Sequence, residues 1–521
     1  MTSESFRPAS NLRYDAPAAL VVFLVALPLC LGVALASGVP LFSGIIAGAV
    51  GGIVIGAISR SQLSVSGPAA GLTVIVLGAV QNLPSFETFL LAVFLSGAIQ
   101  MLLAVLKAGV IGDFIPSSVI KGMLAAIGLI LILKQIPHAV GYDRDPEGDL
   151  TFLQPDGENT FSALWAMLDR FTPGAVLIAF VSLAFLFWWD KTPLRKKQWL
   201  QYLPGPLVVV IFGILASSFF ESVFPALAIS AEHLVSIPVS SSADEFFGQF
   251  HFPDFSQIGN KEVWTTAITI GLVASIESLL SIEAIDKLDP YKRVTPTNRE
   301  LLAQGIGNMS AGLIGGMPVT SVIVRSSANV SSGARTQMSA ILHGVLLVLC
   351  VVAIPGILNK IPLAALAAVL ISVGYKLTKP QIFIDKYEKG WAHLVPFVIT
   401  IVAILLTDLL TGIVTGLFVA GAFIVFNNFH SAILHISEGD RHLIRFKKDM
   451  SFMHKYELKR TLGKIPEGSS VVIDVSRMSF IDYDNAEIIN EYIETAHFKN
   501  INVKVRRLEG QAAQIIKTPE V

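Results

Sequence analysis

Long apolar runs broken by short polar pieces fill most of the chain. The runs fall at about 16–36, 40–57, 65–80, 88–106, 117–135, 174–189 and 204–220, then at about 264–282, 300–314, 318–331, 337–356, 361–375, 393–410 and 411–428. They divide into two sets of seven. In each set the third run is short and opens on a proline: Ser66-Gly67-Pro68-Ala69-Ala70-Gly71 in one, Gly315-Gly316-Met317-Pro318-Val319-Thr320 in the other. Neither is long or apolar enough to cross a bilayer, which takes about 20 residues, so each reads as half a helix. Irregular backbone at bilayer depth is tolerated only where protein or a water-filled cavity surrounds it. Matching interruptions in two halves predict an inverted repeat with its binding site between the broken helices.

Of the two interruptions, the second carries more chemistry. Pro318 lacks an N–H and has a preset φ, so it opens a helix at low cost. The amides of Val319, Thr320 and Ser321 are then expected to point into the cavity, where they and the positive end of the helix dipole suit an anion. Ser66 to Thr73 is the first-half partner, with glycines for close approach and small residues that leave room for a ligand.

From about Ser437 the pattern turns polar. Ser470 to Val475 reads as a buried strand, Tyr483 to Thr495 as an amphipathic helix and Ile501 to Val505 as a second strand. The predicted fold is an α-helical membrane protein with a seven-plus-seven transmembrane inverted repeat, followed by a small α/β domain. Residues 1–13 form an N-terminal segment, 14–430 the membrane domain with repeats at about 14–222 and 262–430, and 437–521 the small domain.

Composition agrees. At 521 residues, 53% hydrophobic and 15% charged, this is no soluble globular chain. The net charge of −1 is uninformative as a total, and no long basic run or aromatic-interleaved basic patch argues for a nucleic-acid partner. Cys30 and Cys350 lie in separate apolar runs without metal-ligand spacing. Arg7 and Arg13 precede a run ending in Ala34-Leu35-Ala36, which imitates a signal peptide, but its length and the many later spans favour a retained helix.

Loop charges set a topology. Asp143, Asp145, Glu147, Asp149, Asp156, Glu158 and Asp169 make the 136–173 loop acidic, which suits the outside. Lys191, Arg195, Lys196 and Lys197, then Lys287, Lys292, Arg293 and Arg299, then Lys376, Lys379, Lys386 and Lys389 gather in alternate loops. Both termini are expected in the cytoplasm, with the protein in the inner (plasma) membrane and in contact with its lipid. Trp188 and Trp189 fall where an interfacial aromatic belt belongs.

Glu277 is the sharpest single residue, since a carboxylate at bilayer depth costs about 2.5–3.5 kcal/mol on insertion scales and must be paired, protonated or wet. Ser281, four residues on, shares its helix face. Together they suit a small cation; alternatively Glu277 carries a proton or is a neutral acid between helices. Arg325 either adds positive potential to an anion site, pairs with a carboxylate, or snorkels to the interface. His343 and Asp408 read as helix-end or interhelical hydrogen-bonding groups. No metal-spaced histidines, nucleophile elbow or phosphate-binding loop argues for an enzyme, and no cofactor is expected.

These residues resemble the sulfate permease (SulP) family of anion transporters. The resemblance rests on Asp15 with Pro28, Ser66-Gly67-Pro68, Glu277-Ser278, Asn298-Arg299-Glu300-Leu301, Gln304-Gly305 with Asn308, Gly315-Gly316-Met317-Pro318, Arg325-Ser326, Asn329 and Gly333-Ala334-Arg335-Thr336. The tail around Val471 to Ser476 and Phe480-Ile481-Asp482 is similar to the family's STAS domain. The resemblance implies core and gate domains, a homodimer and elevator-type transport of a small inorganic anion, bicarbonate or sulfate. It places the anion near Ser66, Gly67, Pro68 and Ala69 of the third run and Pro318, Val319, Thr320, Ser321, Val322 and Arg325 of the tenth. Glu277 and Ser281 are then the coupling site for H+ or Na+, with Ser321 a further ligand if the ion is Na+. Some bicarbonate-transporting relatives have Thr where this chain has Ala69, and Asp and Thr where it has Glu277 and Ser281. A dicarboxylate or nucleobase carrier on the same architecture, or an uncoupled exchanger or channel, are the alternatives.

Overall fold

The computed structural model describes residues 8–144, 152, 159–192, 204–237, 243–429, 433–507 and 515–517. The charged positions Arg7, Asp145, Glu147, Asp149, Asp156, Glu158, Arg195, Lys196 and Lys197 lie outside them.

Among the described residues every predicted apolar run contains a helix. The first seven are α1 (Pro8–Ala36), α2 (Leu41–Val50, continuing through a π turn, Gly51–Ile55), α3 (Thr73–Asn82), α4 (Phe86–Val105), α5 (Ser117–Ala139), α6 (Pro173–Lys191) and α7 (Gly205–Val223). The second seven are α8 (Lys261–Leu288), α9 (Thr297–Leu313), α10 (Ile323–Ser331), α11 (Met338–Ala353), α12 (Leu363–Leu377), α13 (Trp391–Leu406) and α14 (Leu409–Phe429). Eight helices among the described residues are long and apolar enough to cross a membrane unaided. Of the six that fall short, α9, α11, α13 and α14 are simply shorter or more polar, whereas the third and tenth are half-helices. Each is preceded by a three-residue strand, β1 (Ser66–Pro68) and β2 (Val319–Ser321).

The helices pack in two sets. In one, α4 lies on α8 and α9, while α1 packs on α2, α10 and α11. In the other, α5 lies on α12 and α13, while α6 packs on α7 and α12. Gly128 of α5 and Gly374 of α12 meet backbone to backbone: a Cβ on Gly128 would stand 2.7 Å from the Gly374 carbonyl, and one on Gly374 2.6 Å from that of Gly128. Only residues without a side chain permit that approach. The sets meet where α8 touches α5 and α10 touches α12.

Side chains tie the connections down. Asp15 of α1 accepts from the amides of Arg335 at 2.7 Å and Thr336 at 3.0 Å, and from the Thr336 hydroxyl. Beyond α5, Asp143 takes a histidine on each oxygen, His138 Nδ1 and His233 Nδ1, both at 2.5 Å. Trp188 is half-exposed as an interfacial residue should be, but Trp189 is buried and stacks on Phe185, because the helix turns that face toward the protein.

Taken by itself, the tail is a four-stranded sheet in the order β3 (Ile433–Glu438), β4 (Arg441–Phe446), β5 (Ser470–Asp474), β6 (Asn502–Arg506). β3 and β4 form an antiparallel hairpin; β4, β5 and β6 run parallel. Two helices, α15 (Lys455–Leu462) and α16 (Tyr483–Thr495), complete a core of Ile444, Phe446, Val471, Ile473, Ile489 and Ile493.

Candidate functional site

β1 and β2 pair antiparallel, with Ser66 opposite Ser321, Gly67 opposite Thr320 and Pro68 opposite Val319. β2 runs into α10 after one residue and β1 into α3 through a short 3-10 turn at Ala70–Leu72, so the two half-helices leave the ribbon from opposite ends with both N-termini toward it. Three residues of extended chain span about 10 Å, which sets the scale of the gap. The sequence-predicted residues Ser66, Gly67, Pro68, Val319, Thr320 and Ser321 are therefore brought together as one element, with Ala69 and Val322 capping the helical turns that follow.

The expectation of free amides at Val319, Thr320 and Ser321 is corrected. The Val319 N–H donates to Asn308 Oδ1 at 2.7 Å, and the Ser321 N–H to Ser278 Oγ at 3.2 Å. Thr320 is taken up in the ladder, and the Val322 N–H goes to the Val65 carbonyl at 3.0 Å. Pro318 opens a strand, and the helix begins at Ile323. The donors left without a backbone acceptor on this side are the first amides of α10, at Ile323, Val324 and Arg325.

One face of the ribbon is closed by polar side chains. Gln304 Nε2 donates to Ser66 Oγ at 2.9 Å and to Glu300 Oε1 at 2.7 Å, while Ser59 donates to Glu300 Oε2. The Ser64 and Ser321 hydroxyls hydrogen-bond to each other at 2.5 Å. The hydroxyls of Ser66 and Ser321 are thus engaged with the protein.

The other face is left with unused donors. Arg325 is 1% exposed, and its guanidinium lies against Gly67, where any Cβ would overlap it. Its Nε and Nη1 have no hydrogen-bond partner, and no carboxylate pairs with it among the described residues. Snorkelling and a carboxylate pair are both ruled out by that burial and isolation. Thr320 stands directly opposite Gly67, and cross-strand neighbours project to the same face. Its buried hydroxyl is also without a partner. Cys30 is within hydrogen-bonding reach of the guanidinium. His343, expected near a span end, instead lies inside α11 within electrostatic reach of Arg325, its Nδ1 donating to the Ala340 carbonyl. Asp408 is a helix cap, as expected, accepting from the Thr411 amide at 2.9 Å.

Glu277 meets the opposite half-helix. Its carboxylate lies against Gly71, where a Cβ would stand 2.8 Å from Oε1. Oε2 is buried without a partner. Ser281 lines the same cavity, whose other walls are Gly71, Met123, Val273, Leu280, Leu409, Leu410 and Ile413. For a hard cation, which takes several oxygen ligands, Glu277 and Ser281 are the side-chain oxygens available there, and the rest of the wall is alkyl and thioether. Gly71 escaped the sequence reading because a close backbone approach carries no residue signature; the proximity of Ser278 and Asn308 to β2 was foreshadowed only by their place in motifs.

Residues 12–400 match the sulfate permease family. The chain belongs to that family, whose members are transporters rather than enzymes. YvdB of Bacillus subtilis is 27% identical over 449 residues, 86% of this chain and 80% of its own. The bicarbonate transporter BicA of Picosynechococcus is 24% identical over 423 residues, covering 80% of this chain and 70% of BicA. The sodium-independent sulfate anion transporter of Bos taurus is 23% identical over 545 residues, 98% of this chain and 86% of that one. Among solved structures, SLC26A9 shares the fold with a TM-score of 0.67 at 14% identity, covering 98% of this chain and 87% of SLC26A9. The BicA transmembrane domain does so at 0.53 and 22%, covering 79% and 97%.

Proposed function

We propose that this member of the family is a secondary active transporter of a small inorganic oxyanion, sulfate or bicarbonate, coupled to a cation at Glu277. The observation that carries the reading is the unpaired Arg325 guanidinium. Leaving a buried cation without a counter-charge costs several kcal/mol, and a mobile anion is the counter-charge that fits. The Thr320 hydroxyl and the leading amides of α10 supply neighbouring donors, and α3 faces them with its own positive end. Relatives named as sulfate and bicarbonate transporters narrow the anion to an oxyanion.

The set containing α3, α8 and α10 is the core, and the set built on α5 and α12 is the gate. Elevator motion carries the core along α5, α12 and α14. A homodimer embedded in the lipid of the inner (plasma) membrane belongs to the same reading, as does the placement of both termini in the cytoplasm, which the loop charges support. The tail, with a parallel β-α-β unit behind a hairpin, fits a cytoplasmic STAS-like domain.

The test is uptake of labelled sulfate and labelled bicarbonate into proteoliposomes under an imposed inward H+ or Na+ gradient. Concentrative uptake of one anion under one gradient supports coupled transport. Ohmic current or gradient-independent exchange recasts the protein as a channel or exchanger.

A further inference from the structure

The short helix that joins α12 to α13, Pro380–Glu388, is turned inside out for a surface in water. Its outward residues are apolar: Ile384 is exposed, Tyr387 is 70% exposed and Trp391, just beyond the helix, 71%. Its inward residue is Lys386, only 2% exposed. Phe383 packs edge-on against Phe397 of α13, with ring centroids 5.2 Å apart, and so helps to fix that rotation. Residues three and four apart share a helix face, which puts Ile384 and Tyr387 on the same side as Phe383. A helix of this kind lies along a bilayer surface with its aromatic side toward the lipid, at the depth where Tyr and Trp collect.

The buried ammonium has no counter-charge. Lys386 Nζ donates to Ser118 Oγ at 3.2 Å, its one hydrogen bond among the described residues, and that hydroxyl also meets His393 Nδ1 at 3.3 Å. The charges around it are of the same sign. Lys121 lies on α5 one turn beyond Ser118 and Lys389 one turn beyond Lys386, and both are within electrostatic reach of the ammonium. Lys287 is also in reach but is paired with Glu283 at 2.9 Å. Asp385 is held by Gln381 at 2.9 Å, and no carboxylate pairs with Lys121, Lys386 or Lys389 among the described residues. Ser118 belongs to the first turn of α5, which has no side-chain cap, so the positive end of that helix adds to the field.

We propose that the notch between the first turn of α5 and the 380–388 helix binds the phosphate of an anionic phospholipid headgroup. On the topology proposed above, this notch faces the cytoplasmic leaflet. A buried cation among like charges is costly until an anion is supplied. The exposed aromatic face holds the notch at headgroup depth, which favours a phosphate carried by a lipid over one free in solution. Basic pockets between spans at the cytoplasmic surface take anionic headgroups on the same principle. Lys386 contacts the phosphate from below, with Lys121 and Lys389 on either side. The site is separate from the ribbon and from Glu277: it lies within the set in which α5 packs on α12 and α13, and its lipid ties α5 to the connection between the other two.

The experiment is a native mass spectrometry titration of the full-length protein in detergent with phosphatidylglycerol and with phosphatidylcholine of the same chains, each with and without inorganic phosphate as competitor. Phosphatidylglycerol is expected to bind at least about tenfold more tightly than phosphatidylcholine. Lys121→Gln and Lys389→Gln should each weaken phosphatidylglycerol about fivefold without changing the lipid-free melting temperature, while Lys191→Gln at the end of α6 leaves the affinity unaltered. Lys386→Gln should weaken it by at least as much; should that variant not fold, the two outer lysines still decide the matter. Equal affinity for the two lipids, or equal losses from Lys191→Gln and Lys389→Gln, would reduce the lysines to diffuse surface charge and overturn the site. Displacement of the lipid by inorganic phosphate at matching concentration would overturn the lipid assignment in favour of a soluble anion.

Discussion

Asn308 satisfies both backbone groups of Val319: its Oδ1 accepts the N–H at 2.7 Å and its Nδ2 donates to the carbonyl at 2.9 Å, while Nδ2 also reaches Gln100 at 2.7 Å. A side-chain amide here imitates a missing third strand and gives the short ribbon one fixed edge. Asn308→Ala leaves two buried backbone groups without partners, each costing about 1–3 kcal/mol. The variant should unfold at lower temperature in detergent and lose uptake, whereas Asn308→Gln should be intermediate. Unchanged melting in Asn308→Ala would show that the ribbon does not depend on this clamp.

Gly67 and Arg325 yield a sharper test because the defect is steric. Gly67→Ala drives a methyl group into the guanidinium. The expected result is anion affinity weakened about tenfold or more, equivalent to about 1.4 kcal/mol at the site. Arg325→Lys in the same background is shorter of planar bulk and should recover part of it.

Glu300 is buried and accepts hydrogen bonds on both oxygens, from Gln304 and Ser59, with no cation beside it among the described residues. Glutamine reproduces that shape: its oxygen accepts from Gln304 and its amide donates to Ser59. Glu300→Gln should therefore retain fold and uptake. Glu300→Ala strands the Gln304 amide and should cost about 2–4 kcal/mol, read as a lowered melting temperature.

The Asp143 clamp predicts a pH signature. Burial pushes the Asp143 carboxyl up, but hydrogen bonds and charge from His138 and His233 more than offset it and hold it below the usual carboxylate range. His233 moves the other way, raised by its hydrogen bond to Asp143 and that group's charge against the opposing effect of burial. The raised histidine contributes stability that is complete below its unfolded value, about 6.5, and is lost as pH rises through the folded value. The depressed aspartate contributes stability present above about 3.9 and lost as pH falls through its folded value. The clamp is strongest between those limits. Asp143→Asn should lower the melting temperature most between about pH 4 and 6.5, with the gap to wild type narrowing as pH rises further.

Much of this architecture is legible in the sequence, because apolar run length and proline placement respond to the bilayer directly. Each predicted run contains a helix, and the two proline-broken runs meet. Tyr483 to Thr495 forms a helix over the predicted residues, and the strand read at Ile501 to Val505 lies one residue later. The hairpin Ile433–Glu438 and Arg441–Phe446 went unread because His435, Glu438, Arg441 and Arg445 interrupt its apolar alternation, and only β4 buries one face fully. At the site, the sequence identifies Glu277 and Arg325 as costly and therefore meaningful. It misplaces the free amides, since nothing local tells Val319 that Asn308 will claim its N–H, or Ser321 that Ser278 will.

The ribbon also bears on how the protein is made. Its strands belong to opposite halves of the chain, and the Ser64–Ser321 contact joins residues 257 positions apart. During synthesis the first half-helix must wait in the bilayer with its strand unpaired until the tenth segment has emerged from the ribosome. Contacts of such high sequence separation form late and leave their partners exposed meanwhile. The candidate site thus cannot assemble before the tenth segment has been made, and mutations that weaken the ribbon should appear first as poor biogenesis and rapid degradation rather than as inactive protein at normal abundance.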